Sequence, residues 1–350
     1  MALDASQMEI SPNRVLIIDT AWLGDVIFST SLIEAVKIRW PHCHLTVLVA
    51  PRGAPILQGH PRIDELLIFD KHAKEKSYLA VRRLAKRLHQ SAFDVILNAH
   101  PSFRSRLLTR QIGSPIRVGY AGCGASRAFT HVVANDLAVE PDHVKRRIAL
   151  LEALCGPLVP PPLHVPVLPA AAAWAEAFLQ EHQAQNTPIL ALVPGSAWET
   201  KRWPLSHYKS LAGRWLTERA GHVLLIGGEA EKSLIAGLCA ANPQKLIPVV
   251  SVPIPRVAAL LARCRAVAGN DTGISLLAVA VGGPRTAILY GCTQVNYALP
   301  APHCALTAGV PCCLPRTGHG AHQCRWSDEP WCMSQISVDR VWTALQGDAA

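Results

Sequence analysis

Short unbroken apolar runs alternate with longer amphipathic stretches along the first half of the chain. Val15-Leu16-Ile17-Ile18 reads as a buried strand, and residues 26–40 read as a helix stopped by Pro41. Residues 45–50 and 66–69 are the next strands, followed by a basic helical stretch over 74–89. Val95-Ile96-Leu97 and Ile116-Arg117-Val118 add two more. Continuous apolar strands separated by helices predict a parallel sheet covered on both faces.

The pattern breaks after Gly156, where Pro157, Pro160, Pro161, Pro162, Pro166 and Pro169 crowd together. Proline fixes φ and removes a donor, so an extended linker is expected, then an alanine-rich helix over 170–185. The alternation restarts with strands over 189–193, 222–226, 246–250, 266–268 and 286–290, and a helix over 206–219. The expected organisation is an N-terminal domain over 1–156, a linker and helix over 157–187, and a C-terminal domain over 188–350. Two doubly wound α/β units joined in this way predict a cleft between them.

Composition agrees with this. A chain of 350 residues is too long for one ordinary core, and half of it is hydrophobic with only 17% charged, which excludes disorder. No apolar run approaches the roughly 18 residues that a membrane span needs. The polar start, MALDASQMEISPN, lacks the features of a secretory signal, so a cytoplasmic location is expected. Eleven cysteines would then stay reduced. The net charge of +9 fits either simple solubility or attraction to an anionic surface, such as phosphorylated lipid at the inner membrane face. No nucleic-acid motif is present.

Ligands of open α/β sheets bind beyond the carboxyl ends of the strands, which singles out three loops. Thr20-Ala21-Trp22-Leu23-Gly24-Asp25 lacks both the dinucleotide fingerprint and the Walker phosphate loop. Gly24 is expected to make a tight turn and Asp25 to open the helix, either as a plain N-cap or as a carboxylate able to take a proton from a hydroxyl. The second loop runs from Val193 to Pro204. Its Gly195-Ser196 would let backbone donors approach a ligand, and Lys201 with Arg202 would supply charge for a diphosphate; a solvated loop is the plainer reading. The third, Gly269-Asn270-Asp271-Thr272-Gly273, precedes a helix and is either an anion site or an ordinary cap. Gly227 and Gly228 close a neighbouring strand where a nucleoside could approach the backbone.

These residues resemble a known family. Residues 15–37 with Leu23-Gly24-Asp25-Val26, Pro194-Gly195-Ser196 with Lys201-Arg202-Trp203-Pro204, and Asn270-Asp271-Thr272-Gly273 with Tyr290-Gly291-Cys292-Thr293 are similar to three motifs of glycosyltransferase family 9, the ADP-heptose:lipopolysaccharide heptosyltransferases. Asp142-His143-Val144 with Arg146 or Arg147 resembles a further family stretch. The resemblance implies the GT-B fold, two Rossmann-like doubly wound domains facing across a cleft. It implies an ADP-sugar donor, an anionic glycan or lipid-linked acceptor, and inverting transfer with no obligatory cofactor. Asp25 would be the general base, Lys201 would neutralise the leaving diphosphate, and Thr272 and Gly273 would bind phosphate, with Gly195, Ser196, Gly227, Gly228 and Asp271 around the nucleotide sugar. Gly24, Arg104, Arg106, Arg110 and Arg117 would face the acceptor, unless the arginines form a solvated basic face. A nucleotide-sugar epimerase on the same fold and a non-catalytic binding protein are the alternatives.

The chain departs from the family at Leu276, where members usually carry histidine. Near the end, Cys312, Cys313, Cys324 and Cys332 lie close together in sequence, with His319 and His322 between them. The expectation is either a structural zinc or iron, as the cysteine-rich tails of some similar proteins hold, or a reduced, loop-rich segment.

Overall fold

The computed structural model describes residues 10–70, 77–309, 323–324, 326–327 and 329–346. The chain divides into two compact units, Met1–Pro166 and Val167–Ala350.

The first unit contains β1 (Arg14–Asp19), α1 (Leu23–Arg39), β2 (His44–Val49), α2 (Ala54–Leu57), β3 (Glu65–Ile68), α3 (Tyr78–His89), β4 (Val95–Asn98), α4 (Phe103–Ile112), β5 (Ile116–Tyr120), α5 (Ala125–Ala128), β6 (His131–Val133) and α6 (His143–Cys155). Its sheet has the order β3-β2-β1-β4-β5-β6, parallel throughout. Val15 to Ile18 are all fully buried, which is why this strand shows no alternation. Leu16 and Ile18 join Leu48, Leu84, Leu88, Ile96 and Leu108 in one core cluster beneath α3 and α4.

Helix α1 begins earlier than its apolar pattern suggests. Its N-cap is Trp22, which makes no side-chain capping bond. Gly24 and Asp25 therefore sit inside the first turn, and neither the turn at Gly24 nor the cap at Asp25 is formed. Helix α4 hides its buried face from a hydrophobic pattern because Ser105 and Thr109 lie on it, with Thr109 Oγ1 accepting from the Asn98 amide at 2.9 Å. The proline-rich stretch packs on the first unit instead of hanging free. Ser31 Oγ donates to the Pro161 carbonyl at 2.6 Å, and the His164 N–H donates to Thr30 Oγ1 at 3.1 Å.

The second unit contains α7 (Pro169–Glu181), β7 (Ile189–Val193), α8 (Leu205–Arg219), β8 (His222–Gly227), α9 (Lys232–Cys239), β9 (Leu246–Val250), α10 (Ile254–Arg263), β10 (Ala266–Asn270), α11 (Gly273–Ala280), β11 (Arg285–Tyr290), β12 (Cys304–Thr307), α12 (Trp331–Ser334) and α13 (Val338–Gln346). The sheet order is β12-β11-β10-β7-β8-β9, again parallel throughout. Trp203, Tyr208, Trp215, Met333 and Trp342 fill its core with Leu190, Leu225 and Leu289. Both sheets thus repeat one arrangement, with the first and fourth strands of each unit side by side. That adjacency is the topological switch point, where the connections leave in opposite directions and open a crevice at the carboxyl ends. In the first unit it lies between β1 and β4, and in the second between β7 and β10.

Candidate active site

The first switch point is built on buried charge. Asp19 ends β1 and is fully buried. Its Oδ2 accepts from Ser29 Oγ at 2.5 Å and its Oδ1 from the Ala21 N–H at 3.1 Å. Arg147 reaches in from α6. Its Nε donates to Ser29 Oγ at 2.8 Å, while Nη2 lies 3.5 Å from Asp19 Oδ2 and donates to Asp25 Oδ1 at 3.1 Å. Burial pushes the Asp19 carboxyl above the ordinary carboxylate range, with Arg147 opposing. Burial also works against the charge on Arg147, but Asp19 and Asp25 together hold its proton more firmly than in a free guanidinium.

Asp25 is the accessible member of this group, with 30% of its side chain exposed. His143 Nδ1 lies 3.8 Å from the same Oδ1, and the His143 ring stacks on Phe28 at 5.2 Å between centroids. Burial, reinforced by Arg147, lowers His143 to about 4, so this ring is neutral at pH 7. Arg147 is therefore the cation that balances Asp25. Both contacts fall on Oδ1, and Oδ2 has no partner among the described residues. Thr20 Oγ1 and His100 Nδ1, 2.9 Å apart, join the loops after β1 and β4.

The second switch point is organised by Asn270, which is fully buried. Its amide donates to the carbonyls of Pro194 at 2.9 Å and Gly195 at 3.2 Å. Its Oδ1 accepts from the Trp203 N–H at 2.9 Å and the Tyr208 hydroxyl at 3.1 Å. Asn270 thereby fastens the loop after β7 to the end of β10. Beside it, Lys201 Nζ pairs with Asp271 Oδ2 at 2.6 Å, and Thr293 Oγ1 donates to that same oxygen at 3.0 Å. Thr272 caps α11, its side chain accepting from the Ser275 N–H, and Gly273 opens the helix. Gly195, Gly227 and Gly228 converge on Glu231. A Cβ at Gly195 would lie 2.6 Å from Glu231 Cγ, one at Gly227 would lie 2.8 Å from Glu231 Cβ, and the Gly228 N–H donates to Glu231 Oε2 at 2.9 Å.

The sequence reading placed Asp25, Lys201, Asp271 and Thr272 at strand ends, and there they stand. Asp19, Ser29 and Glu231 were not singled out by it, and Asn270 was named only as part of the third loop and motif. The signal for Asp19 was a carboxylate closing an otherwise apolar strand, and for Asn270 a polar residue at the equivalent place. Arg202 and Trp203 have structural work: Arg202 donates twice to the Ser196 carbonyl, and Trp203 is buried with Nε1 donating to the Ile336 carbonyl at 2.8 Å. Leu276 is buried in α11. Of the candidate acceptor residues, Gly24 is in the first turn of α1, and Arg104 and Arg110 are exposed on α4. Arg106 packs against Gly122, and Arg117 donates to the carbonyls of Ala128 and Ser114.

Cys312 and Cys313 lie outside the described residues. Cys332 is buried. Burial raises the Cys324 thiol, but the backbone N–H groups of Trp326, Trp331 and Ser327, with the Ser327 hydroxyl, outweigh it, so Cys324 sits below its ordinary value. Among the described residues, one cluster has the spacing of metal ligands: Glu34, His60 and His164. The Arg62 N–H donates to His60 Nδ1 at 3.3 Å, and His60 Nε2 lies 3.8 Å from Glu34. Glu34 also holds His164, and the proline-rich stretch with it, against α1 at 3.1 Å.

Two parallel sheets of the same order are the architecture of the GT-B fold, here with an accessible carboxylate at one switch point and a glycine-lined, lysine-bearing loop at the other. The sequence profile "Glycosyltransferase family 9 (heptosyltransferase)" matches residues 81–307. The chain belongs to glycosyltransferase family 9. It is 26% identical over 305 residues to lipopolysaccharide heptosyltransferase 2 of Escherichia coli (strain K12), covering 83% of this chain and 86% of that one. Among solved structures, a family 9 glycosyl transferase from Veillonella parvula superposes with a TM-score of 0.82 at 21% identity over 97% of both chains. The ADP-heptose lipopolysaccharide heptosyltransferase II of E. coli gives 0.75 at 23% identity over 95% of this chain and 97% of that one. The GT-B fold and the family resemblance expected from the motifs are both borne out. No helix of the described residues is long and apolar enough to cross a membrane.

Proposed function

We propose that this glycosyltransferase moves a heptose from ADP-heptose to a lipopolysaccharide core acceptor with inversion at the anomeric carbon, using Asp25 as the general base. The observation that carries this reading is the Asp25 carboxylate itself. It is held at a switch point by Arg147 through one oxygen, and the other oxygen has no partner among the described residues. An acceptor hydroxyl bound there gives its proton to Oδ2 as its oxygen attacks the anomeric carbon, and the bond from that carbon to the diphosphate breaks on the opposite face. The electron pair leaves on ADP. Lys201 and the N-terminus of α11, with Thr272 and Gly273, are the donors suited to that charge. Asp271 holds Lys201 in place until the diphosphate arrives.

The cysteine-rich segment is read as a structural zinc or iron site separate from this chemistry. Metal analysis of the purified chain tests it. The transfer reading is tested by incubating the protein with ADP-heptose and acceptor and determining the configuration of the new linkage by NMR. The opposite anomeric configuration to the donor is expected. Retention contradicts the single displacement, and ADP-heptose turnover without acceptor favours an epimerase.

A further inference from the structure

Trp22, three residues before Asp25, is 67% exposed in spite of its size. It is held firmly all the same. As the N-cap of α1 it is extended, and its carbonyl accepts from the Val26 N–H at 3.1 Å. The guanidinium of Arg52, from the loop after β2, lies 4.6 Å from the centre of its ring. Gly53 makes this approach feasible, since a Cβ there would stand 2.7 Å from Cγ2 of the buried Val26. The loop after β2 therefore presses onto the first turn of α1, and the residue before the glycine is laid over the indole. Arg52 makes no ion pair among the described residues.

An exposed aromatic plane with a stacked guanidinium matches an acidic saccharide. The C–H face of a pyranose covers the indole, and the fork of the guanidinium takes a carboxylate or phosphate of the same or a neighbouring sugar. Both groups stand at the carboxyl ends of adjacent strands, on the side where Asp25 stands. We propose that Trp22 and Arg52 form a subsite for an acidic sugar of the acceptor, beside the hydroxyl that reacts. The proposal rests on Asp25 being the base of a transferase.

The test is calorimetric titration of the full chain with delipidated lipopolysaccharide core oligosaccharide, for the wild type and for Trp22→Ala, Trp22→Phe and Arg52→Ala. ADP-heptose serves as the control ligand. The alanine variants should weaken saccharide binding about tenfold or more, the size of one lost stacking or charge-assisted contact. Trp22→Phe should keep most of the affinity, and ADP-heptose should bind all four proteins alike. In transfer assays the alanine variants should raise the acceptor KM and leave kcat unchanged. Equal saccharide affinity in all four proteins, or none in the wild type, overturns the subsite. A wild type that binds the saccharide but transfers nothing contradicts the proposed function instead, and the subsite then stands or falls on the titration.

Discussion

Arg147 and Asp25, 122 residues apart in sequence, are joined by one hydrogen bond of 3.1 Å. The guanidinium is buried, and the same nitrogen faces Asp19 at 3.5 Å. One cation thus serves two carboxylates. The buried one fixes where the guanidinium sits, and the accessible one is positioned by it.

Asp25→Asn keeps the shape of the side chain and removes the proton acceptor. We expect kcat to fall by at least about a hundredfold, the usual scale for losing a general base, with ADP-heptose affinity unchanged. Steady-state kinetics beside calorimetry checks this. Turnover close to that of the wild type removes Asp25 from the role.

Arg147→Met strands a buried carboxylate. Unfolding in urea should show a loss of about 3–5 kcal/mol, the cost of breaking a buried pair on one side only. Asp19→Asn in the same chain should recover part of it by removing the stranded charge. A single variant as stable as the wild type would mean that the Asp19–Arg147 pair does not hold this switch point together.

Stability should depend on pH between about 4 and 6.5. Burial lowers both His60 and His143 from 6.5 to about 4. In that window the unfolded chain binds protons that these folded rings refuse, so their contribution is complete above 6.5 and is lost as pH falls towards 4. The raised Asp19 acts in the opposite direction, because its folded form holds a proton that the unfolded chain releases. Urea midpoints measured across the window should therefore fall with pH, and His143→Gln should flatten the slope. An unchanged slope in that variant contradicts the burial argument.

Lys201→Ala leaves Asp271 beside the place assigned to the diphosphate with only Thr293 as a described partner. Affinity for ADP-heptose should drop about ten- to a hundredfold, the loss of a charge-assisted contact plus new repulsion, and kcat should fall with it. Calorimetry against ADP-heptose reads the first effect. Unchanged affinity and rate place Lys201 outside the site.

Much of this was legible in the sequence, for identifiable reasons. Strands buried on both faces, such as β1 and β7, announce themselves as apolar runs, and their spacing reveals two doubly wound units. The loops after them carry Asp25, Lys201 and Asp271 in recognisable motifs. What stayed hidden was pairing across long separations. Arg147 reaches Ser29 and Asp25 only because α6 packs on α1. Asn270 stood in the loop read as an anion site or a cap, and it proved to be the clamp on the loop after β7. Prolines 157–166 looked like a linker because composition shows stiffness but not docking, and His164 with Glu34 supplies the docking. Helix α1 started early because nothing in the local pattern marks Trp22 as its cap.

Heptosyl transfer changes the mass of the acceptor, which can be weighed. Purified protein is incubated with ADP-heptose and a lipopolysaccharide core acceptor lacking the heptose, and the product is read by mass spectrometry. With the wild type the acceptor should gain the mass of one heptose, and with the Asp25→Asn protein it should gain none. An acceptor left unchanged by a folded wild type that binds ADP-heptose would contradict heptosyl transfer.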